Sequence, residues 1–505
     1  MTHGAEKSDL LIVAMKPANK PGLMTGAESV EPRGGAKGNT DECRMLRTQS
    51  RVGVLQGLAR VRERARANKK ERFTALLHHV DVELLRRAYF WLKKRAAPGV
   101  DGVTWEDYGV ELDEHLVDLH RRVHHGAYRA QPSRRQFIPK ADGRQRPLGV
   151  AAVEDKIVQR AVVEVLNAIY EADFIGFSYG FRPGRSQHDA LDALATGIVR
   201  LPVNWIIDAD IRSFFDSVDH AWLMRFLEHR IADTRLLRLI RKWLKAGVLQ
   251  DGELLPTEVG TPQGAVISPL LANIYLHYVY DLWVERWRRR EARGKVIVVR
   301  YADDTVVGFQ YEADATRFLT ALRARLEAFA LSLHPDKTRC IEFGRFAARD
   351  RCAKGLPRPE TFTFLGFTHI CGRSRRDAFL LTRRSRRDRM RTTVREVRLG
   401  LRKRINLTIP QQGDWLRRVV RGYYTYHGVP TNCGSLQIFR HYVIKAWLWV
   451  LRRRSQRHRM TWVRMFGVAE RWLPRARVLH PWPERRFAAN HPRWEPGARI
   501  APAGI

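Results

Sequence analysis

Two apolar runs rich in β-branched residues, Val296–Val299 and Thr305–Phe309, flank Tyr301-Ala302-Asp303-Asp304 and predict two strands joined by a tight turn. Upstream, Trp205–Ile211 reads as another apolar strand, broken at Asp208 and Asp210. Residues two apart on a strand share a face, so both acids point the same way. Phe137–Gly149 reads as strand, turn, strand, and Phe362–Thr368 alternates as a further strand. Helical spacing marks Asp155–Tyr170, Leu270–Val284 and Ala313–Phe329. It also marks two strongly basic stretches, from Met45 to about Arg95 and, within the basic region that begins at Arg373, from Arg383 to Arg454.

Two adjacent carboxylates at a strand turn repel each other, and a divalent cation relieves that repulsion. Asp is common in turns for backbone reasons, so Asp303-Asp304 alone would mean little. The second acidic strand end, at Asp208 and Asp210, changes the picture. Carboxylates from two separate strands are what a two-metal phosphoryl-transfer site needs.

Charge adds a partner. The chain has 505 residues, 90 of them Lys or Arg against 53 Asp or Glu, for a net charge of +37, which calls for a polyanion. Lys140, Arg144 and Arg146 can share the Phe137–Gly149 hairpin and neutralise a triphosphate. Aromatics around Arg182 and Arg185 suit stacking and backbone contact with a nucleic-acid strand, although Phe177 and Phe181 would serve equally well in a core. Gly260 and Gly264 allow close backbone approach to a base pair, and Ser268-Pro269 reads as the N-cap and first turn of the helix that follows. Five cysteines without a CxxC pair give no zinc module and no disulfide framework, which fits a reducing cytoplasm. Leu10–Met15 is too short to cross a membrane.

In order, the Trp205–Asp216, Gly260–Leu276 and Tyr301–Asp304 blocks resemble motifs A, B and C of reverse transcriptases, and Ser178–Ser186 is similar to the family's second fingers block. From about Ala88 to Arg454 the chain resembles the reverse transcriptase–maturases encoded by group II introns. Ala88–Thr104 is similar to the N-terminal block these enzymes carry ahead of the fingers, and Arg421–Tyr426 matches their maturase region. The resemblance implies an α+β right-hand polymerase, its fingers and palm built on antiparallel sheet, followed by a helical thumb that doubles as the maturase domain. It implies that Asp210, Asp303 and Asp304 are the catalytic metal ligands, with the Ile211 carbonyl as a further ligand and Asp208 structural. Two Mg²⁺ ions, replaceable by Mn²⁺, would be the cofactors. It assigns Lys140 and Arg146 to the incoming nucleotide, Phe215 to excluding the ribose 2′-hydroxyl, Gln263 to the nascent pair, Lys337 to a phosphate and Gly366 to the primer grip. Cys433 is the last cysteine, so the paired cysteines of the relatives' endonuclease are expected to be missing.

The expected division is a basic disordered tail at 1–45, an N-terminal extension at 46–118, fingers and palm at 119–370, thumb at 371–475 and a loose tail at 476–505. The expected partners are a group II intron RNA, an RNA template with DNA or RNA primer, a DNA target and deoxynucleoside triphosphates, with a bacterial nucleoid-associated location and no membrane. Arg383, Arg384, Arg386 and Arg387 are expected to meet RNA. Two other readings stay open: a splicing factor whose polymerase is idle, and a domesticated reverse transcriptase serving phage defence or spacer acquisition.

Overall fold

The computed structural model describes residues 56–139, 145–256, 258–261, 263–454 and 460–490. In chain order its strands are β1 (Ser133–Pro139), β2 (Gln145–Val150), β3 (Trp205–Ala209), β4 (Val248–Gln250), β5 (Glu253–Leu255), β6 (Val296–Tyr301), β7 (Asp304–Phe309), β8 (Arg339–Glu342), β9 (Phe362–Phe364), β10 (Phe367–Arg373) and β11 (Phe379–Ser385). They form three sheets, ordered β2-β1-β4-β5, β6-β7-β3-β8 and β11-β10-β9. All pairings are antiparallel except β1 with β4.

The central sheet is covered on both sides, which explains why β6, β7 and the first part of β3 read as apolar runs on both faces. Ile207, Val298, Val307 and Phe309 pack with Tyr275, Val284, Phe318 and Leu322 of the helices Ser268–Leu276, Leu282–Arg290 and Glu312–Glu327. Ile206, Ile297, Val299 and Val306 pack with Leu191, Leu194 and Ile198 of the helix Gln187–Arg200. β3 lies between β7 and β8, with Asp208 opposite Val306 and Arg339, so its end is level with the β6–β7 turn.

The expected helix over 270–284 starts earlier and is not uniform. Ser268 is already helical, Ile267 is the N-cap and no side chain caps it. The helix then loosens into a π turn at His277–Asp281 before resuming at Leu282–Arg290. At the N-terminal side, a helix at 56–67 turns Leu58, Val61 and Ala65 inward and exposes Arg60 and Arg64. The C-terminal region is helical, and Val397, Leu416, Val420, Phe439 and Trp447 give it a core of its own.

Beyond residue 476 the chain is not loose throughout. Residues Pro483–Asn490 form a helix on the palm helix Gln187–Arg200, with Phe487 in the second core and Glu484 2.6 Å from Arg200. The expected tail at 1–45 and Lys140 lie outside the described residues. No helix among the described residues is long and apolar enough to cross a membrane.

Candidate catalytic site

Asp210 follows the last residue of β3, and its carbonyl accepts from His334 N–H at 2.7 Å. The next residue, Ile211, forms an isolated bridge with Leu333, which fixes the chain as it leaves the sheet. Asp303 lies in the two-residue turn between Tyr301 and Asp304, which are paired across the hairpin. The other turn residue, Ala302, has φ 58°, a left-handed conformation that costs a side-chain-bearing residue about 1 kcal/mol or more. The sheet register therefore brings Asp210 from one strand end beside Asp303 and Asp304 from the next.

The electrostatics follow from this crowding. Burial raises the Asp303 carboxyl, and Asp210 raises it further, while Arg146 pulls the other way. Asp304, at the open mouth of the site, is pushed to about 6 by the protein around it, then by Asp303 and Asp210. Asp208 is pushed to about 7 by burial and by Asp304 and Asp210, against Arg339. Its carboxylate stands 3.9 Å from Arg339, across the β3–β8 pairing, which suits a structural role.

Hard oxygen donors that repel one another fit a divalent cation. Even so, among the described residues no three His, Cys, Asp or Glu side chains converge as a ready-made metal cage. Lys337 is also at the site: its ammonium donates to Asp210 Oδ2 at 2.7 Å and acts as that carboxylate's counter-ion.

Three segments of backbone pack closely beside the turn that follows β3. Gly149 of β2 donates to the Gln263 carbonyl at 2.6 Å, and a Cβ at Gly264 would lie 2.6 Å from the Gly149 carbonyl oxygen. On the other side, Thr261 N–H donates to the Phe215 carbonyl at 2.7 Å, and a Cβ at Gly260 would meet that oxygen at 2.9 Å. Both glycines also have positive φ, and what they approach closely here is protein backbone rather than the expected base pair. Phe215 is half-buried against the first core, with its ring 5.4 Å from Phe214. Arg146, exposed on β2, faces the acids closely enough to influence Asp303.

Several expected nucleic-acid contacts are placed differently. Arg182 is only 5 % exposed; it pairs with Glu171 at 2.8 Å and donates to the Ile175 and Ser178 carbonyls. Arg185 donates to the Gly176 carbonyl and stacks over Tyr179, and burial lowers it to about 10. Both arginines brace the loop, because the loop has no sheet partner along most of its length and needs side chains to satisfy its carbonyls. Phe177 is in the core, but Phe181 is not: it is 52 % exposed, at φ 57°, with its ring 6.3 Å from Tyr301.

Arg383 is 2 % exposed and paired with Asp192, so it cannot meet RNA. Arg384 and Arg387 are exposed, while Arg386 is half-buried and bound to Asp388. Gly366, at φ 81°, turns β9 into β10; a Cβ there would lie 3.3 Å from Arg389 Nη1. Arg389 in turn draws down Asp304, so the basic run borders the acidic site. Sequence reading did not single out Arg389. It also missed Arg300, buried behind the turn, because a lone arginine in an apolar strand gives no signal without its partners.

The family model for reverse transcriptase (RNA-dependent DNA polymerase) matches residues 138–369. Protein YkfC of Escherichia coli is 37 % identical, the match covering 48 % of this chain and 71 % of YkfC. The group II intron-encoded protein LtrA of Lactococcus lactis is 35 % identical, over 44 % of this chain and 37 % of LtrA. An uncharacterized 91 kDa protein in the cob intron of Schizosaccharomyces pombe is 30 % identical, over 62 % of this chain and 45 % of that protein. This chain thus spans less than half of the latter two proteins. Three acids brought together by the expected strands, within the matched segment, agree with these likenesses: the chain belongs to the reverse transcriptases, in the group that includes the group II intron-encoded reverse transcriptases and maturases.

Proposed function

We propose that the chain extends a primer on an RNA template with deoxynucleotides, using Asp210, Asp303 and Asp304 as ligands for two Mg²⁺ ions. The observation that carries this reading is the sheet register that sets Asp210, just past the end of β3, beside the β6–β7 turn, where it raises the Asp303 and Asp304 carboxyls. Bound there, the ions would lower the pKa of the primer 3′-hydroxyl and screen the departing pyrophosphate. The 3′-hydroxyl attacks the α-phosphate in line, and the protein contributes mainly position and charge. Arg146 holds the triphosphate from the β2 side. Phe215 excludes a 2′-hydroxyl, and the Gln263 loop lies along the nascent pair. Lys337 leaves Asp210 when cations arrive and turns to a phosphate. The Ile211 carbonyl is an additional oxygen for the ions, and Gly366 meets the primer end.

The same polypeptide clamps a folded group II intron RNA with its basic helical region and stabilises the splicing-competent form. The +37 charge and the exposed arginines of that region support this second role. Nucleoid association follows from a DNA target. The test is primer extension on an RNA template with Mg²⁺, beside splicing of the flanking intron transcript with and without protein. Full-length product only with Mg²⁺ supports the polymerase. Absence of product at every metal concentration, with splicing intact, would leave the idle-polymerase reading.

A further inference from the structure

Arg300 is the penultimate residue of β6 and only 1 % exposed. Its guanidinium forks onto Asp281, Nε to Oδ1 at 2.7 Å and Nη2 to Oδ2 at 2.6 Å. The remaining donors spread outward: Nη2 to Ser178 Oγ at 2.7 Å, Nη1 to Asn273 Oδ1 at 3.1 Å and Nη1 to the Ala302 carbonyl at 2.8 Å. Asp281 is fully buried at the end of the π turn, where one extra residue per turn shifts the helix face. Asn273 in turn donates to the Gly180 carbonyl at 2.7 Å. The backbone repeats the connection, since Arg300 N–H donates to Phe177 and Tyr179 N–H donates to Arg300. Gly180 lies so close that a Cβ would be 2.2 Å from Ala302 N.

This arrangement is costly for stability alone. A buried ion pair gains little over well-packed apolar residues of similar volume. What the arginine adds is geometry: a planar fork reaches several acceptors in fixed directions, which a lysine cannot do. One of those acceptors is the carbonyl of Ala302, the strained residue immediately before Asp303. Strained backbone persists where its surroundings over-determine it.

We propose that Arg300 is a positioning residue of the polymerase site, locking the turn that carries Asp303 and Asp304 to the Phe177–Phe181 loop and to the Asn273–Asp281 helix. The proposal rests on the reading of those two acids as metal ligands. It assigns the loop a second duty, because the exposed Phe181 and the catalytic turn are fixed to each other through Ser178, Gly180 and Arg300. Displacing the carboxylates by a fraction of an ångström would weaken the metals' hold and slow the chemistry, without touching the nucleotide or the duplex.

The test uses the full chain with Arg300→Lys, Ser178→Ala and Asn273→Ala, beside Asp303→Asn. The two alanine variants leave the Arg300–Asp281 pair in place, so they report on the links even where Arg300→Lys fails to fold. Single-turnover incorporation is measured against Mg²⁺ and against deoxynucleotide, with melting temperature and duplex affinity as controls. Each link variant should lose on the order of tenfold in maximal rate and need several-fold more Mg²⁺, with nucleotide and duplex affinities within about twofold of wild type. Ser178→Ala added to Arg300→Lys should cost little more than Arg300→Lys alone, as expected of one connected unit. Folded alanine variants with wild-type rate and metal dependence would reduce Arg300 to a core ion pair. A wild-type protein that incorporates nothing, or an Asp303→Asn variant as active as wild type, would instead overturn the function on which the proposal rests.

Discussion

Lys337 stands 2.7 Å from Asp210 Oδ2, so the acid that follows β3 has one of the protein's own cations beside it. The lysine is half-exposed and can leave without opening the fold. A flexible ammonium trades partners cheaply, which suits a group that guards a carboxylate in one state and meets a phosphate in the next.

Replacing Lys337 with Met should therefore act in two opposite directions. Binding of Mg²⁺ or Mn²⁺ to the nucleotide-free protein should tighten several-fold, because the competitor is gone. The KM for deoxynucleotide should rise. Calorimetric metal titration and steady-state extension read the two effects separately, and a KM shift with unchanged metal binding would mean that the lysine does not compete.

Asp303→Asn should abolish cDNA synthesis while leaving RNA affinity close to wild type. Losing one ligand removes several kcal/mol of transition-state stabilisation, a rate loss of about a hundredfold or more. Extension within tenfold of wild type would remove Asp303 from the site.

Asp304 should leave a mark on stability against pH. Its carboxyl, exposed at the surface yet crowded by protein, sits at about 6, above the ordinary 3.8, chiefly because the surrounding protein displaces water and then through Asp303 and Asp210. Between those values the folded state holds a proton that the unfolded chain has released, so this contribution to stability falls as pH rises. In metal-free buffer Asp304→Asn should melt higher than wild type at pH 7, and the gap should close as pH drops below about 4. Adding Mg²⁺ at pH 7 should raise the wild-type melting point more than that of the variant. A gap that widened on acidification would show the sign to be wrong.

Phe215→Ala should admit ribonucleotides, because the half-buried ring has one side free to oppose a 2′-hydroxyl. Competing ribo- and deoxynucleotide in single-nucleotide incorporation gives the ratio. An unchanged ratio would leave the ring with packing against Phe214 and the first core as its whole role.

The basic run divides into surface and interior. Arg384→Gln with Arg387→Gln should flatten the salt dependence of RNA binding by about one unit of slope for each phosphate contact removed. Arg383→Met should do something else: it removes one arginine from the buried Asp192, which still has Arg486, and breaking such a pair costs roughly 3–5 kcal/mol, less where a second partner remains. Binding slopes from filter assays and thermal melts separate these effects.

Much of the palm was legible because its strands carry strong period and composition signals, and because the acids fall at strand ends where few other residues would be placed. The spacing of Asp208 and Asp210 predicts a shared face, but β3 ends at Ala209, so the alternation of the strand covers only Asp208. What the sequence hid depends on distant partners. Arg182, Arg185 and Arg383 look like surface charges until Glu171, the Gly176 carbonyl and Asp192 are seen beside them. Phe181 looks like a core residue until its left-handed φ turns it outward. The π turn at His277–Asp281 leaves no pattern, since the apolar spacing continues through it. The helix at Pro483–Asn490 follows a Pro- and Trp-rich stretch whose composition suggests no packed structure.

That last helix has a mechanical consequence. The helical region leaves the third sheet after Ser385, where the helix Arg387–Arg402 begins, and its final segment comes back to the palm. The returning strip is pinned on the way, with Leu479 and His480 donating to the Gly428 carbonyl and Arg486 bound to Asp192. Between these ends Tyr426 Oη donates to the Leu365 carbonyl at 2.6 Å, and the N–H groups of Arg383 and Ser385 donate to Thr431 Oγ1 at 2.9 Å and Asn432 Oδ1 at 3.0 Å. The helical region is therefore stitched to the sheets rather than hung from them, and severing the last helix alone would leave most of the stitches in place.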